Sequence, residues 1–475
     1  MTLTTWTASG RRAVAIVAMA VLAASTWTGC THRPGGGVAA GFQRHNRPHF
    51  DHTPVIPPRF DSPQHVTRVC LSCHPEATSV MKTAHWQWLG EDVPLPGRNE
   101  HARIGKKNLI NNFCISTAGN ERACTKCHAG YGWTGPDFDF KATEGVDCLV
   151  CHESSGRYVK GPGGVPTKES DLVAAARSVG TPGRENCLTC HAYGGGGQGV
   201  KHGDIDSSLI HPPVDEDVHM GKHGLLCVDC HTAPDHQLRG RAFSVSAEDA
   251  RGVACTDCHK AGEHRDARLD AHLKTVACQT CHIPSFARTI PTKASWDWSR
   301  AGEKDREEDP HHYLKIKGEF TYEQDVVPDY RWFNMTVTRY LAGDVIDPAA
   351  VTAINAPRGD IKDRDARIWP FKIHRARQPY DEVNRYLLAP VTGGEGGYWT
   401  SFNWEESFQM GVKPTGLAFS GKYGFAQTEM YWPLSHMVAP KDKALGCTDC
   451  HGDRGRMDWK ALGFGADPIT SRGRP

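Results

Sequence analysis

No charge sign dominates this chain. Its 55 Lys and Arg stand against 54 Asp and Glu, a formal net charge of +1, so the basic footprint of a nucleic-acid-binding protein is missing. The apolar run over 13–24 falls short of the ~20 residues that a helix needs to cross a membrane. No glycine loop is followed by Lys-Ser or Lys-Thr to cradle a phosphate, and GGGGQG (194–199) lacks the strand and helix context of a dinucleotide site. Apolar residues are sparse as well. A hydrophobic content of 39%, with 49 Gly and 30 Pro, argues against a large conventional core and suits short helices and loops wrapped round something else.

Cysteine, by contrast, is abundant and ordered. Of 18 cysteines, 16 fall into eight copies of C-x-x-C-H. The copies are Cys70, Cys73 and His74; Cys124, Cys127 and His128; Cys148, Cys151 and His152; Cys187, Cys190 and His191. They continue with Cys227, Cys230 and His231; Cys255, Cys258 and His259; Cys278, Cys281 and His282; Cys447, Cys450 and His451. Two thiols three residues apart can both form thioethers to one porphyrin, and the adjacent histidine then reaches the iron. A zinc protein would pair its C-x-x-C units at regular spacing. A disulfide scaffold would not be so fully consumed by one motif. Eight covalently attached haem c groups are therefore expected, with only Cys30 and Cys114 left over.

The rest of the chain divides around these copies. Residues 1–30 read as an export signal, with Arg11 and Arg12, the apolar run and then small residues. Trp27, Thr28, Gly29 and Cys30 resemble a bacterial lipobox, which would acylate Cys30 and anchor the chain at a membrane facing the periplasm. The alternative is ordinary cleavage near Ala23-Ala24-Ser25 and a periplasmic protein. Residues 31–64 read as a flexible Gly/Pro-rich tether, with His32, His45, His49 and His52 as surface residues. Residues 65–455 form the octahaem body: seven motifs within 65–283, a wrapping segment over 284–446 and the eighth motif at 447–451. Residues 456–475 are left as a C-terminal tail.

The expected fold is mainly α, with extensive irregular loops and a few short strands, organised round the haems. Ser170 or Asp171 caps a helix over 170–179, and Leu269, Leu273 and Val276 recur at helical spacing before the seventh motif. Phe333, Met335, Val337 and Leu341 alternate as a half-buried strand. The acidic stretch 303–309 reads as a solvated loop, with a calcium site as the alternative.

Electron-transfer haems commonly carry a second axial ligand. Eighteen histidines lie outside the motifs. The candidates in the haem-bearing regions are His85, His219, His236, His264, His272, His374 and His436, with His202, His211 and His223 in reserve. Met220 and Met437 adjoin two of these histidines, but ligation by two histidines is the simpler reading.

The segments GKKNLINNFCIS (105–116), CTKCHAGYGW (124–133), AYGGGGQGVKHGD (192–204), FKIHRARQPYD (371–381) and LSHMVAPKDKALGCTDCHG (434–452) resemble the octahaem tetrathionate reductase family of bacterial c-type cytochromes. The similarity covers approximately residues 65–455 and extends beyond the haem motifs. It implies that the second haem in sequence is catalytic, with a lysine as distal ligand and a free cysteine beside it. On this chain that haem would be held by Cys124 and Cys127 with His128 proximal, the lysine would be Lys201 and the thiol Cys114. Gln198 departs from the family pattern, which places an acidic residue three positions before the lysine.

The chemistry of such a site can be argued independently. Lysine binds iron only as the neutral amine, so its pKa must be depressed by metal and burial. A thiol beside it can exchange with a sulfur substrate. The expected activity is reduction of tetrathionate to thiosulfate, of nitrite and hydroxylamine to ammonium, or both. The partners would be a small inorganic sulfur or nitrogen oxyanion and an electron-donating cytochrome or quinol-oxidising protein. A non-enzymatic electron conduit with every iron saturated is the alternative. A hydroxylamine-oxidising octahaem enzyme fits less well, because only 24 residues follow His451, too few for the helical extension of those enzymes.

Overall fold

Each C-x-x-C-H copy is wound into a short helix or turn. Helical winding places residues three apart on one face, which aims both thiols of a copy in one direction. The first copy ends the helix Pro63–Cys73, whose N-terminus is closed by the Ser62 hydroxyl accepting from the His65 amide. The third, fourth and seventh lie in Leu149–His152, Arg184–His191 and Cys278–His282. The computed structural model describes residues 50–240, 252–260 and 264–470. The expected export signal, Cys30 and the tether up to residue 49 lie outside the described residues. Among those described, no helix is long and apolar enough to cross a membrane.

The two helices expected elsewhere occur in shortened form. Leu172–Arg177 is capped by the Asp171 carboxylate accepting from the Ala174 amide, and Ala267–His272 by Asp266. A small antiparallel hairpin joins β1 (Asp92–Pro94) to β2 (His101–Arg103).

The wrapping segment corrects the expectation of a few short strands. It builds one eight-stranded sheet from β3 (Thr292–Asp297), β4 (Tyr313–Leu314), β5 (Gly318–Glu323), β6 (Asp329–Phe333), β7 (Val337–Arg339), β8 (Thr352–Pro357), β9 (Arg367–Asp381) and β10 (Tyr423–Pro433). Strand β9, 15 residues long, is its spine. It pairs antiparallel with β10 along its length, antiparallel with β6, and parallel with β3. The alternation expected over 331–341 is split between β6 and β7, because Met335 adopts a positive φ of 69° and turns the chain between them. One face of the sheet packs Ala426, Met430 and Trp432 with Ile110, Phe113 and Val200, which carries the sheet up to the segments around Cys114 and Lys201.

Both flanks of the body are also better ordered than expected. Ile56 packs with Val66, Leu149 and Ala175, so the chain before residue 64 is partly core. After the eighth motif, Met457, Leu462 and Phe464 pack on Tyr330, Trp332 and Ile368, and the Trp332 indole donates to the Leu462 carbonyl at 2.8 Å. This segment is part of the core rather than a tail.

Candidate functional site

Seven motif histidines each face a second histidine. Ring centroids are 6.3 Å apart for His74 and His52, 6.3 Å for His152 and His236, and 6.2 Å for His191 and His85. They are 6.1 Å apart for His231 and His436, 6.1 Å for His259 and His219, 6.3 Å for His282 and His264, and 6.3 Å for His451 and His272. A metal ion bonded to one nitrogen of each ring at about 2 Å, with roughly 1 Å more to each ring centre, sets the centroids about 6 Å apart. Among the described residues no three His, Cys, Asp or Glu side chains group so as to hold a metal ion. Two protein ligands on one axis fit an iron whose other four positions belong to a porphyrin, and the residues present therefore suit haem c.

The far nitrogens of these rings support the same geometry. Nδ1 of His152 donates to the Gly180 carbonyl at 2.9 Å, that of His231 to Arg239 at 2.8 Å, and that of His272 to Arg268 at 2.7 Å. Nδ1 of His451 meets the Asp467 carboxylate at 2.6 Å, and that of His436 meets Asp204 at 3.2 Å. Such bonds orient a ring and leave Nε2 for a metal.

Six of the expected distal candidates stand in these pairs. His374 does not. It lies in β9, fully buried, with neither ring nitrogen hydrogen-bonded and no motif histidine opposite it. The seventh partner is His52, expected at the surface of the tether. The ordered turn over 52–56, in which the Val55 and Ile56 amides donate to the His52 carbonyl, brings it to the first motif.

The second motif is different in kind. His128 is sealed by protein, ringed by Trp86, Trp88, Trp133, Phe138 and Phe140 at centroid distances of 5.0–6.1 Å. Its Nε2 is 2.6 Å from the Trp86 carbonyl, and burial pushes its pKa down to about 3. Its backbone is pinned by the Lys160 ammonium, which donates to the carbonyls of His128 at 2.5 Å and Gly130 at 3.1 Å. Among the described residues no second histidine faces it. His128 is the histidine that the C-x-x-C-H spacing offers to this motif, and it stands in a box of aromatic rings.

Lys201 and Cys114 converge on the same motif from other segments. The Lys201 amine senses the charges of Lys106 and Cys127, and burial pushes its pKa down to about 8. Burial, and after it the charge of Cys114, push the Cys124 thiol up to about 12, which places Cys114 beside the other attachment point. The backbone of Lys201 is held from the sheet. Lys372 Nζ donates to the carbonyls of Val200 and Lys201, both at 3.2 Å, and to Thr292 Oγ1 at 2.6 Å. The Thr292 hydroxyl is 2.7 Å from the Gly199 carbonyl and 3.0 Å from that of His202.

Glycine is required at two places in this loop. A Cβ on Gly199, where φ is +64°, would meet the Pro291 carbonyl oxygen at 2.4 Å, and one on Gly195 would meet the Phe113 ring at 2.7 Å. The Cys114 amide donates to Asn111 Oδ1 at 2.7 Å, closing a turn that presents the thiol. Gln198 is turned to Ser207, its amide nitrogen 2.6 Å from the hydroxyl.

Sequence reasoning missed Lys293, Lys372 and Lys106. Lysines occur throughout the chain; burial marks Lys293 and Lys372, and a place 4.0 Å over the Trp88 ring marks Lys106. Lys293 and Lys372 are 5% and 2% exposed, on β3 and β9, and no spacing rule links those strands to residue 201. The calcium alternative finds no support in the described residues: Glu303 is paired with Arg300 at 2.8 Å and Arg306 at 3.4 Å.

Attachment thiols of different motifs also abut. Cys70 and Cys148, Cys127 and Cys190, Cys187 and Cys227, and Cys255 and Cys278 perturb one another's ionisation through direct contact. Cys230 senses Cys258, and Cys281 senses Cys447. With the charge of Cys151 that reaches Cys187, these contacts link all eight motifs, the second joined to the run through the fourth.

Three family profiles match this chain: cytochrome c bacterial over 293–454, cytochrome c7 and related cytochrome c over 213–283, and cytochrome c554 and c-prime over 69–153. Among solved structures, the octaheme cytochrome c from Shewanella oneidensis is 44% identical, with a TM-score of 0.84. The match covers 90% of this chain and 99% of that one. An uncharacterized protein of Archaeoglobus fulgidus is 24% identical over 260 residues, 43% of this chain and 85% of its own length.

Proposed function

Because the chain belongs to the octahaem c-type cytochromes, we propose that it is a periplasmic reductase whose chemistry is confined to the second motif and whose other seven motifs relay electrons. The coarse role is redox, with haem c bound covalently through the C-x-x-C-H cysteines. The finer reading is supported chiefly by one observation: seven motif histidines face a second histidine, and His128 faces none. Seven centres with two histidines are closed to substrate, whereas the second motif lacks that pair and has Lys201 and Cys114 beside its attachment cysteines.

When bound, haem supplies one-electron transfer and, where a coordination position is open, a place for substrate. The chain's own residues do the rest. Lys201 is held by the Lys372 and Thr292 contacts and is shifted toward its neutral amine, the form that would hold a haem iron together with His128. Cys114 offers a soft nucleophilic sulfur next to that centre. His128, enclosed among aromatic rings, would be the motif's own histidine ligand. The substrates are tetrathionate, reduced to two thiosulfates by two electrons, and nitrite or hydroxylamine, reduced toward ammonium. The electron donor is a cytochrome or a quinol-oxidising protein. The export signal expected over residues 1–30 supports a periplasmic location, with Cys30 as lipid anchor where the lipobox is processed.

Steady-state reduction of tetrathionate, nitrite and hydroxylamine with a reduced viologen, run side by side, tests the reading. Lys201→Ala should alter the spectrum of one haem and lower turnover at least about tenfold. A protein whose haems are all low-spin, ignore cyanide and nitrite, and reduce none of the three substrates would be a conduit only.

A further inference from the structure

Lys160 and Asp147 form a buried ion pair that spans two motifs. Their charged atoms are 2.7 Å apart, and the side chains are 2% and 0% exposed. The ammonium donates to the carbonyls of His128 at 2.5 Å and Gly130 at 3.1 Å, so with Asp147 all three of its hydrogens have acceptors. The carboxylate belongs to the residue directly before Cys148 and accepts from the Val150 amide at 3.1 Å, inside the third motif. The hydroxyls of Tyr131 and Tyr158 also donate to it, at 3.1 and 2.8 Å. The pair is thus held at both ends, its positive end on the second motif and its negative end on the third. Beyond burial and contacts between thiols, the attachment cysteines sense the same polarity. Cys127 of the second motif and Cys190 of the fourth feel Lys160, whereas Cys70 of the first and Cys148 of the third feel Asp147.

Stability alone gives little reason for such a pair, since apolar residues of similar volume commonly do as well or better. Its field is another matter. Surface charges are screened by water and salt, but a charge in a poorly solvated interior acts on its neighbours at nearly full strength. A fixed positive charge stabilises an added electron, and a fixed negative charge opposes one. We propose that the Lys160–Asp147 pair biases electron flow toward the second motif, raising the electron affinity of the second and fourth motifs and lowering that of the first and third. One electron leaves the haem of the first or third motif, which is oxidised. One electron arrives at the fourth and passes to the second, which is reduced, and no proton or co-reactant is needed. The pair stands where this matters, because the fourth motif is where the second joins the run of abutting thiols. The inference rests on the second motif being the reactive centre, and it adds two residues that tune that centre without touching substrate.

Spectroelectrochemical titration of the full-length, haem-loaded protein reads the potentials without turnover. Lys160→Met should make the second-motif haem harder to reduce by about tenfold or more, which is about 59 mV for one electron. Asp147→Asn should shift the same haem the opposite way. A merely structural role would move both variants in one direction. Each single variant leaves a buried charge unpaired. The double variant, Lys160→Met with Asp147→Asn, removes both charges together and decides the matter if the single variants do not fold. In it the gap between the second-motif and third-motif potentials should change by about tenfold or more, the second becoming harder to reduce and the third easier. A folded double variant whose eight potentials match the wild type would overturn the proposal. So would single variants that shift with the same sign. Protein that shows these shifts but reduces none of the three substrates would instead count against the function proposed above, because potential is read separately from catalysis.

Discussion

Lys160 shows how single residues secure the exceptional motif. Its ammonium is 2.7 Å from Asp147, and both side chains are almost wholly enclosed. It also donates to the backbone carbonyls that flank Ala129. Asp147 in turn accepts from the hydroxyls of Tyr131 at 3.1 Å and Tyr158 at 2.8 Å, and burial beside that carboxylate raises the pKa of both tyrosines. Removing one partner leaves the other charge buried and uncompensated. Lys160→Met should therefore cost about 3–5 kcal/mol of stability. Arg68→Ala, which breaks a half-exposed pair with Glu144, should cost less than about 1 kcal/mol. Denaturant melts of the two variants read the contrast, and equal losses would refute it. None of this was legible beforehand, because Lys160 has no local signature and its partners lie at separate points of the chain.

At the scale of elements, the loop that carries Lys201 is docked on the edge of β3 and reached by Lys372 from β9. Gly199 is the point of closest approach. Its positive φ and the 2.4 Å contact that a Cβ would make with the Pro291 carbonyl leave no room for a side chain. Gly199→Ala should lift the loop off β3, cost more than about 1 kcal/mol, and disturb the spectrum of the second-motif haem while the other seven stay unchanged. A spectrum altered in several haems, or in none, would contradict that arrangement. Glycine-rich composition made the loop easy to see in the sequence. Its docking surface was not, since β3 begins roughly 90 residues later and its alternating pattern is short.

For the whole molecule, the apolar interior is divided between two builders. The motif-bearing half has short helices and is held by cofactor attachment, while the half after residue 283 supplies a twisted sheet with β9 as its spine. The abutting thiols of different motifs run through the first half and on to the eighth motif, and the sheet carries Lys293, Lys372 and Trp432 toward the second motif, which branches from that run. Intact-mass measurement should return eight haem additions per chain, and a reductive titration should take up eight electrons. Seven of each would mean that the second copy, with its sequestered histidine, is not loaded.

The repeat itself determined the cofactor class and the attachment cysteines, because thioether formation depends on a local spacing that any fold must respect. The resemblance pointed to Lys201 and Cys114 through short contiguous segments. Axial partners were another matter. His52 and His374 are both single histidines in unremarkable surroundings, and only the path of the chain brings one to a motif ring and buries the other in a sheet. The same holds for His128, whose place in C-x-x-C-H promises a ligand. Five aromatic rings and one backbone carbonyl, gathered from segments tens of residues apart, enclose it. Covalent attachment is a property of neighbouring residues, whereas ligation and substrate access depend on distances that only tertiary packing sets.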